Sequence, residues 1–160
     1  MLKIKIVAVG SLSEPHWRAA CDEYKKRLTG AAAVSETAVK EERIRNDPSE
    51  AEIRRALEAE ADRIIAEIPK KSLVVPLCIE GKQFSSEELA KRFDGAMSSG
   101  KSEICFIIGS SHGLSDRVKE LADLKLSMSA LTFPHQLARV MLYETVYRTV
   151  SILSGGKYHK

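Results

Sequence analysis

No apolar stretch in this sequence approaches the ~18 consecutive residues that a bilayer-crossing helix needs. Nor does the opening segment show the charged, apolar and small-residue blocks of a secretory leader, since it enters a strand pattern at once. A cytoplasmic protein with no membrane association is expected. Cysteine is scarce: Cys21, Cys78 and Cys105 are odd in number and widely spaced. That argues against a disulfide framework or a cysteine metal site and for buried, reduced thiols. Phosphate-cradling glycine motifs are also missing. Gly-x-Gly-x-x-Gly does not follow the first strand, where Val9-Gly10-Ser11 is no substitute, and there is no P-loop, His-Glu-x-x-His pair or Cys/His metal spacing. No resident metal is expected. Strong charge of one sign is absent too: a net charge of +3 permits an RNA partner without announcing one.

What is present is an ordinary globular composition, 44% hydrophobic and 29% charged over 160 residues, which suits one domain spanning the whole chain. Leu2 to Gly10 alternates Lys3 and Lys5 with Ile4 and Ile6 and then turns wholly apolar, the pattern of a strand entering a buried sheet. Ser13 offers an N-cap for a helix from Glu14 to Thr29, closed by Gly30. Its Tyr24, Lys25, Lys26 and Arg27 read as a solvated helix end, with a phosphate-contacting patch as the alternative. Ala31 to Val39 reads as a second strand. Asp47-Pro48-Ser49-Glu50 has the form of a capping box for a helix that ends near Pro69. Ser72 to Ile79 is an apolar run typical of a central parallel strand, although Pro76 requires either a break or a free N–H side there. After the Glu80-Gly81-Lys82 turn, Ser85 with Glu88 makes a capping box for a helix to about Met97. Glu103 to Gly109 is another buried strand, Ser115 caps a short helix, and Leu124 to Met128 is strand-like.

Strand and helix thus alternate almost throughout, which predicts an open, mostly parallel α/β sheet with helices on both faces. Ligands bind such sheets beyond the carboxyl ends of the strands. The loops there are Leu77 to Gly81, Gly109 to Gly113, and Ser129 to Pro134, the last pinned at a helix start by Pro134 at the first helical position. Their small residues, backbone donors and apolar Leu77, Leu131 and Phe133 suit a flat purine with a neutral-to-cationic tail. In the helix that follows, Leu137, Val140, Met141, Tyr147 and Val150 form an apolar stripe, so that one face packs on the sheet and a neighbouring one remains for a partner. His135, Arg139, Glu144 and Arg148 ride on it, Arg148 as a surface charge or as a phosphate or base contact. Gly155-Gly156 then releases Lys157-Tyr158-His159-Lys160, whose Tyr-His pair could offer stacking and a proton acceptor to a nucleobase.

Gly109-Ser110-Ser111-His112-Gly113 also matches the Gly-x-Ser-x-Gly of a hydrolase elbow, with Asp116 or Asp123 and then His135 or His159 in the order Ser, acid, His. The chain is short for that fold and has no His-Gly-Gly-Gly-type oxyanion segment, so a serine hydrolase through Ser111 stands as the alternative.

The N-terminal KIKIVAVG, the EGK turn, the FIIG strand and its loop, the block SALTFPHQLARVMLYETVYR and the terminal YHK together resemble the RlmH family of small SPOUT-class methyltransferases. The resemblance implies transfer of a methyl group from S-adenosyl-L-methionine to N3 of a pseudouridine in a 23S rRNA stem-loop, on the assembled ribosome. It also implies a C-terminal deep trefoil knot, which is an exception to unknotted connections, and a homodimer. Carried over by residue, cofactor binding falls on Leu77, Gly109, Ser110, Gly113, Ser129, Ala130, Leu131, Thr132, Phe133 and Pro134, and catalysis on Arg148, Tyr158 and His159. Family members usually have glycine where this chain has Ser110, and His112 has no counterpart. A fold member that binds rRNA without catalysis is the second alternative.

Overall fold

The computed structural model describes residues 1–158. The elements are β1 (Leu2–Val9), α1 (Pro15–Leu28), β2 (Ala32–Val39), α2 (Glu50–Glu67), β3 (Ser72–Lys82), α3 (Ser86–Ser98), β4 (Glu103–Ile108), α4 (Asp116–Glu120) and α5 (His135–Leu153). The four strands form one sheet in the order β2-β1-β4-β3, and every pairing is parallel.

Strand alternation divides the core into two faces. Ile4, Ile6 and Ala8 of β1 meet α1, α3 and α5 through Cys21, Leu28, Leu89, Phe93, Leu142 and Val146. Val7 and Val9 meet α2 and α4 through Ala61, Ile64 and Val118. Lys5 shares that second face but lies nearer its rim, where Nζ reaches Glu67 Oε2 of α2 at 2.9 Å. The lysine-bearing start of β1 is therefore the sheet margin and its apolar end the centre. All three cysteines are buried and free; burial raises the Cys105 thiol to about 12, which keeps it protonated and inert.

The structure corrects several expectations. The N-cap of α1 is Glu14 rather than Ser13, and it makes no side-chain cap bond. The N-cap of α2 is Ser49, whose hydroxyl accepts from the Glu52 N–H at 3.2 Å; Asp47 instead adopts a positive φ of 56° in the preceding turn. The Ser85–Glu88 capping box forms as expected. Leu124 to Met128 is no regular strand: Leu126 alone makes ladder bridges, to Leu77 and Lys82 of β3.

The same segment resolves the difficulty at Pro76. Val74 donates to Asp123 Oδ2 at 2.8 Å and accepts from the Asp123 N–H at 2.9 Å. Alternate residues of a strand share a side, so Pro76 points its nitrogen outward as well, away from β4, where no ladder donor is required.

Helix α5 is phased differently from the expected stripe. Its buried residues are Arg139, Leu142, Tyr143, Val146, Thr149 and Val150, while Leu137, Val140, Met141 and Tyr147 are only half-buried on the neighbouring face. An arginine takes a core position because Glu36 of β2 meets it there, Nη1 to Oε1 at 3.2 Å. Pro134 is the N-cap of this helix, one position earlier than expected.

Candidate active site

β3 and β4 pair directly up to Pro76 and Ile107, at a spacing of ~4.8 Å, so Leu77 stands beside the end of β4 and β3 continues past it to Lys82. On the far side of β3, the backbone of Lys125 to Ser127 passes against Lys82: Lys82 N–H donates to Lys125 C=O at 3.0 Å and Ser127 N–H to Lys82 C=O at 2.9 Å. A side chain at Gly81 would put its Cβ 2.8 Å from the Leu126 carbonyl carbon, so this crossing requires glycine. Of the three segments singled out from sequence, Leu77 to Gly81 is thus the overhanging end of β3 rather than a loop; Gly109 to Gly113 follows β4 beside it, and Ser129 to Pro134 follows the crossing segment.

The Gly109 to Gly113 loop is closed on itself. Gly113 N–H donates to Ser110 C=O at 2.9 Å, and a Cβ on Gly109 would lie 2.7 Å from the Gly113 carbonyl carbon, over buried Leu114. The Ser110 hydroxyl faces Glu60 of α2, a buried carboxylate that also accepts from the Glu42 N–H at 2.9 Å. Burial holds the Glu60 carboxyl above the ordinary carboxylate range against both hydrogen bonds. In the third loop the Ser129 hydroxyl accepts from the Leu131 N–H at 3.0 Å, which fixes a turn that thrusts Leu131 out to 71% exposure. Ala130, Thr132 and Pro134 are exposed, and Phe133 is half-buried. Ile79, on the part of β3 that extends past β4, is 88% exposed although it continues an apolar run. Sequence reading passed over it, and its exposure beside Leu77 is the signal that could have found it.

The hydrolase alternative finds no support among the described residues; His159, one of its two candidate bases, lies outside them. Ser111 and His112 are both exposed, and among the described residues no histidine hydrogen-bonds Ser111. Asp123 is committed elsewhere, to the Val74 N–H and to Lys101 Nζ at 3.2 Å. Among these residues no group of three or more His, Cys, Asp or Glu could hold a metal, and no helix is long and apolar enough to cross a membrane.

The candidate catalytic residues form a separate cluster. Arg148 donates from Nε and Nη2 to Glu144 Oε1 at 3.0 and 2.5 Å, and from Nη1 to the Tyr158 carbonyl at 3.2 Å. The Tyr158 hydroxyl donates to Glu144 Oε2 at 3.1 Å, and its ring lies 4.8 Å from the Arg148 guanidinium. Tyr147 and Tyr24 continue the stack, at centroid spacings of 4.5 and 6.1 Å. The Glu144 hydrogen bond raises Arg148 further above its ordinary value. Burial first, and Glu144 second, raise Tyr24 to about 12. Glu144 is thus the hub that sequence reading left without a role. His159 lies outside the described residues. From His135 to Arg148 the helix rises roughly 20 Å at 1.5 Å per residue, so Arg148 and Tyr158 do not reach the loops of their own chain.

Residues 2–159 match a family model described as "Predicted SPOUT methyltransferase". The chain belongs to the SPOUT methyltransferase family. A ribosomal RNA large subunit methyltransferase H from Caldicellulosiruptor bescii is 46% identical over 157 residues, covering 98% of this chain and 99% of the relative. One of the same name from Caldicellulosiruptor saccharolyticus is 42% identical over the same shares. The fold is also similar to that of a probable methylase family protein from Haemophilus influenzae Rd KW20, with a TM-score of 0.54 at 16% identity, covering 98% of this chain and 70% of that one. For a SPOUT methyltransferase the separation of loops and tail cluster is the fact to explain.

Proposed function

We propose that this chain is a single-domain, cytoplasmic methyltransferase that uses S-adenosyl-L-methionine to methylate N3 of a pseudouridine in a 23S rRNA stem-loop of the ribosome. The observation that carries the reading is the set of three segments at one sheet end, with apolar Ile79 and Leu131 exposed beside half-buried Leu77 and backbone packing too tight at Gly81 and Gly109 for any side chain. Such a surface fits an adenosine cofactor: flat apolar walls for the base and backbone groups for its edges. When bound, the cofactor supplies an electrophilic methyl group. Leu77 and Leu131 would pack on the adenine, the Gly109 to Gly113 backbone would orient it, and the Ser129 to Pro134 loop would cover it.

The proton on N3 must leave the target base for that nitrogen to become a nucleophile. Arg148 is permanently charged and therefore favours the imide anion without accepting its proton. Tyr158 offers its ring to the extruded base, and His159 accepts the proton. Because Arg148 and Tyr158 stand roughly 20 Å along α5 from the loops of their own chain, the tail acts in the other subunit of a homodimer. The half-buried Leu137, Val140 and Met141 provide an apolar face for that contact. A C-terminal deep trefoil knot, in which the 77–82 and 126–134 segments cross, belongs to the same reading.

Calorimetric titration with S-adenosyl-L-methionine and S-adenosylhomocysteine tests it, beside a Leu131→Glu variant. Binding by the wild type and its loss in the folded variant are expected. Absence of wild-type binding would sink the methyltransferase reading in favour of an rRNA-binding fold member without catalysis.

A further inference from the structure

A cleft of about 400 Å³ opens at the same end of the sheet, lined by Ser11, Ser13, Arg18, Lys25, Glu36 and Arg139 among others. It adjoins the cofactor loops from two directions. Arg139 stands about one helical turn after Pro134, and its Nη2 donates at 2.8 Å to the carbonyl of Gly10, which ends the strand paired with β4.

The polar inventory of the cleft leaves donors in surplus. Both carboxylates are committed: Glu36 to Arg139, to the Tyr143 hydroxyl and to Lys25 at 3.5 Å, and Asp22 to Lys25 at 3.6 Å. Arg18 is exposed and has neither an ion pair nor a side-chain hydrogen bond among the described residues. Helix α1 begins without a side-chain cap and with Pro15 in its first turn, so the N–H groups that follow stand free at its positive end. Arg139 is 2% exposed, yet its buried Nε has no partner within the protein. A buried guanidinium with an unmet donor and a free guanidinium line one concavity, with the uncapped start of α1 beside it between Ser13 and Arg18, and such donors call for anionic oxygen.

We propose that this cleft is a phosphodiester subsite, which holds a backbone phosphate of the RNA substrate next to the nucleotide being modified. The proposal rests on the RNA-methyltransferase reading and assigns its substrate contact. Three cations against two carboxylates leave one positive charge, which matches a phosphodiester monoanion better than a nucleoside triphosphate. The subsite would set the register of the strand by a contact that carries no sequence information.

The test is an amide NMR titration, which reads millimolar binding, of the wild type and an Arg18→Gln variant with inorganic phosphate and with decauridylate at several KCl concentrations. Both probes should shift amides between Ser11 and Arg18. Arg18→Gln should weaken decauridylate roughly tenfold or more, the worth of one charge-assisted hydrogen bond, and flatten the log-affinity against log-salt slope by about 0.7. S-adenosyl-L-methionine affinity should not change. Unmoved amides in this segment, or equal affinity in the variant, would overturn the proposal. Phosphate binding without decauridylate binding would overturn the RNA assignment. Failure of the methyltransferase reading shows separately, as absence of cofactor binding by the wild type.

Discussion

The two ends of α5 each set an arginine against a glutamate, in opposite surroundings. Near its start Arg139 meets Glu36 of β2, a partner 103 residues away, with side chains 2% and 14% exposed. Near its end Arg148 meets Glu144 one turn away, with side chains 31% and 27% exposed. Removing one partner of a buried pair strands a charge, whereas a wetted pair exchanges readily with solvent. The first arginine therefore holds α5 against the sheet. The second is a partly exposed pair, which the proposed function has exchange its glutamate for substrate.

Four substitutions would break or sharpen that contrast. The largest effect on stability is expected for Arg139→Ala, which leaves Glu36 only the more exposed Lys25 as a cationic partner and should cost ~3 kcal/mol in urea unfolding. Arg148→Ala should cost under ~1 kcal/mol in the same assay, yet lower methyl transfer to large ribosomal subunits by about 10²–10³, as loss of a charge-stabilising donor does. Equal stability losses for the two arginines would erase the distinction. Gly109→Ala forces a Cβ against the Gly113 carbonyl, at about 1–3 kcal/mol of overpacking, and should weaken S-adenosyl-L-methionine binding measured by calorimetry.

The smallest effect concerns Glu60, whose carboxyl is raised by burial. A raised carboxyl contributes stability that is complete below the unfolded value of about 4.3 and is lost as pH rises through the folded value. Glu60→Gln keeps an acceptor for the Glu42 N–H without that loss. Its unfolding midpoint should match the wild type in acid and exceed it at neutral pH; a parallel offset at every pH would contradict the assignment.

Much of this was legible in the sequence, for reasons that are local. Period-2 and near-continuous apolar runs marked β1, β3 and β4, and Ser85 with Glu88 marked a helix start, because each signal lies within one element. The three loops were found because strand ends are. What was not legible depends on distant partners. Arg139 carried no assigned role in the sequence, because its partner Glu36 lies 103 residues away, and that pairing shifted the buried face of α5 away from the stripe suggested by Leu137 and Met141. Leu124 to Met128 looked like a strand from its apolar content, but only Leu126 bridges to β3. Glu144 carried no signal at all, since its role depends on where the tail folds.

Mixed dimers test most directly the central claim that the loops of one subunit work with the tail of the other. Leu131→Glu and Arg148→Ala variants, each inactive alone, would be unfolded together, refolded at equal ratio and assayed on large ribosomal subunits. Each mixed dimer would hold one site with intact loops from one chain and an intact tail from the other. Recovery of about a quarter of wild-type activity is therefore expected from random pairing in a two-fold dimer. Activity no higher than that of the two variants assayed apart would contradict the account and return both groups to a single chain.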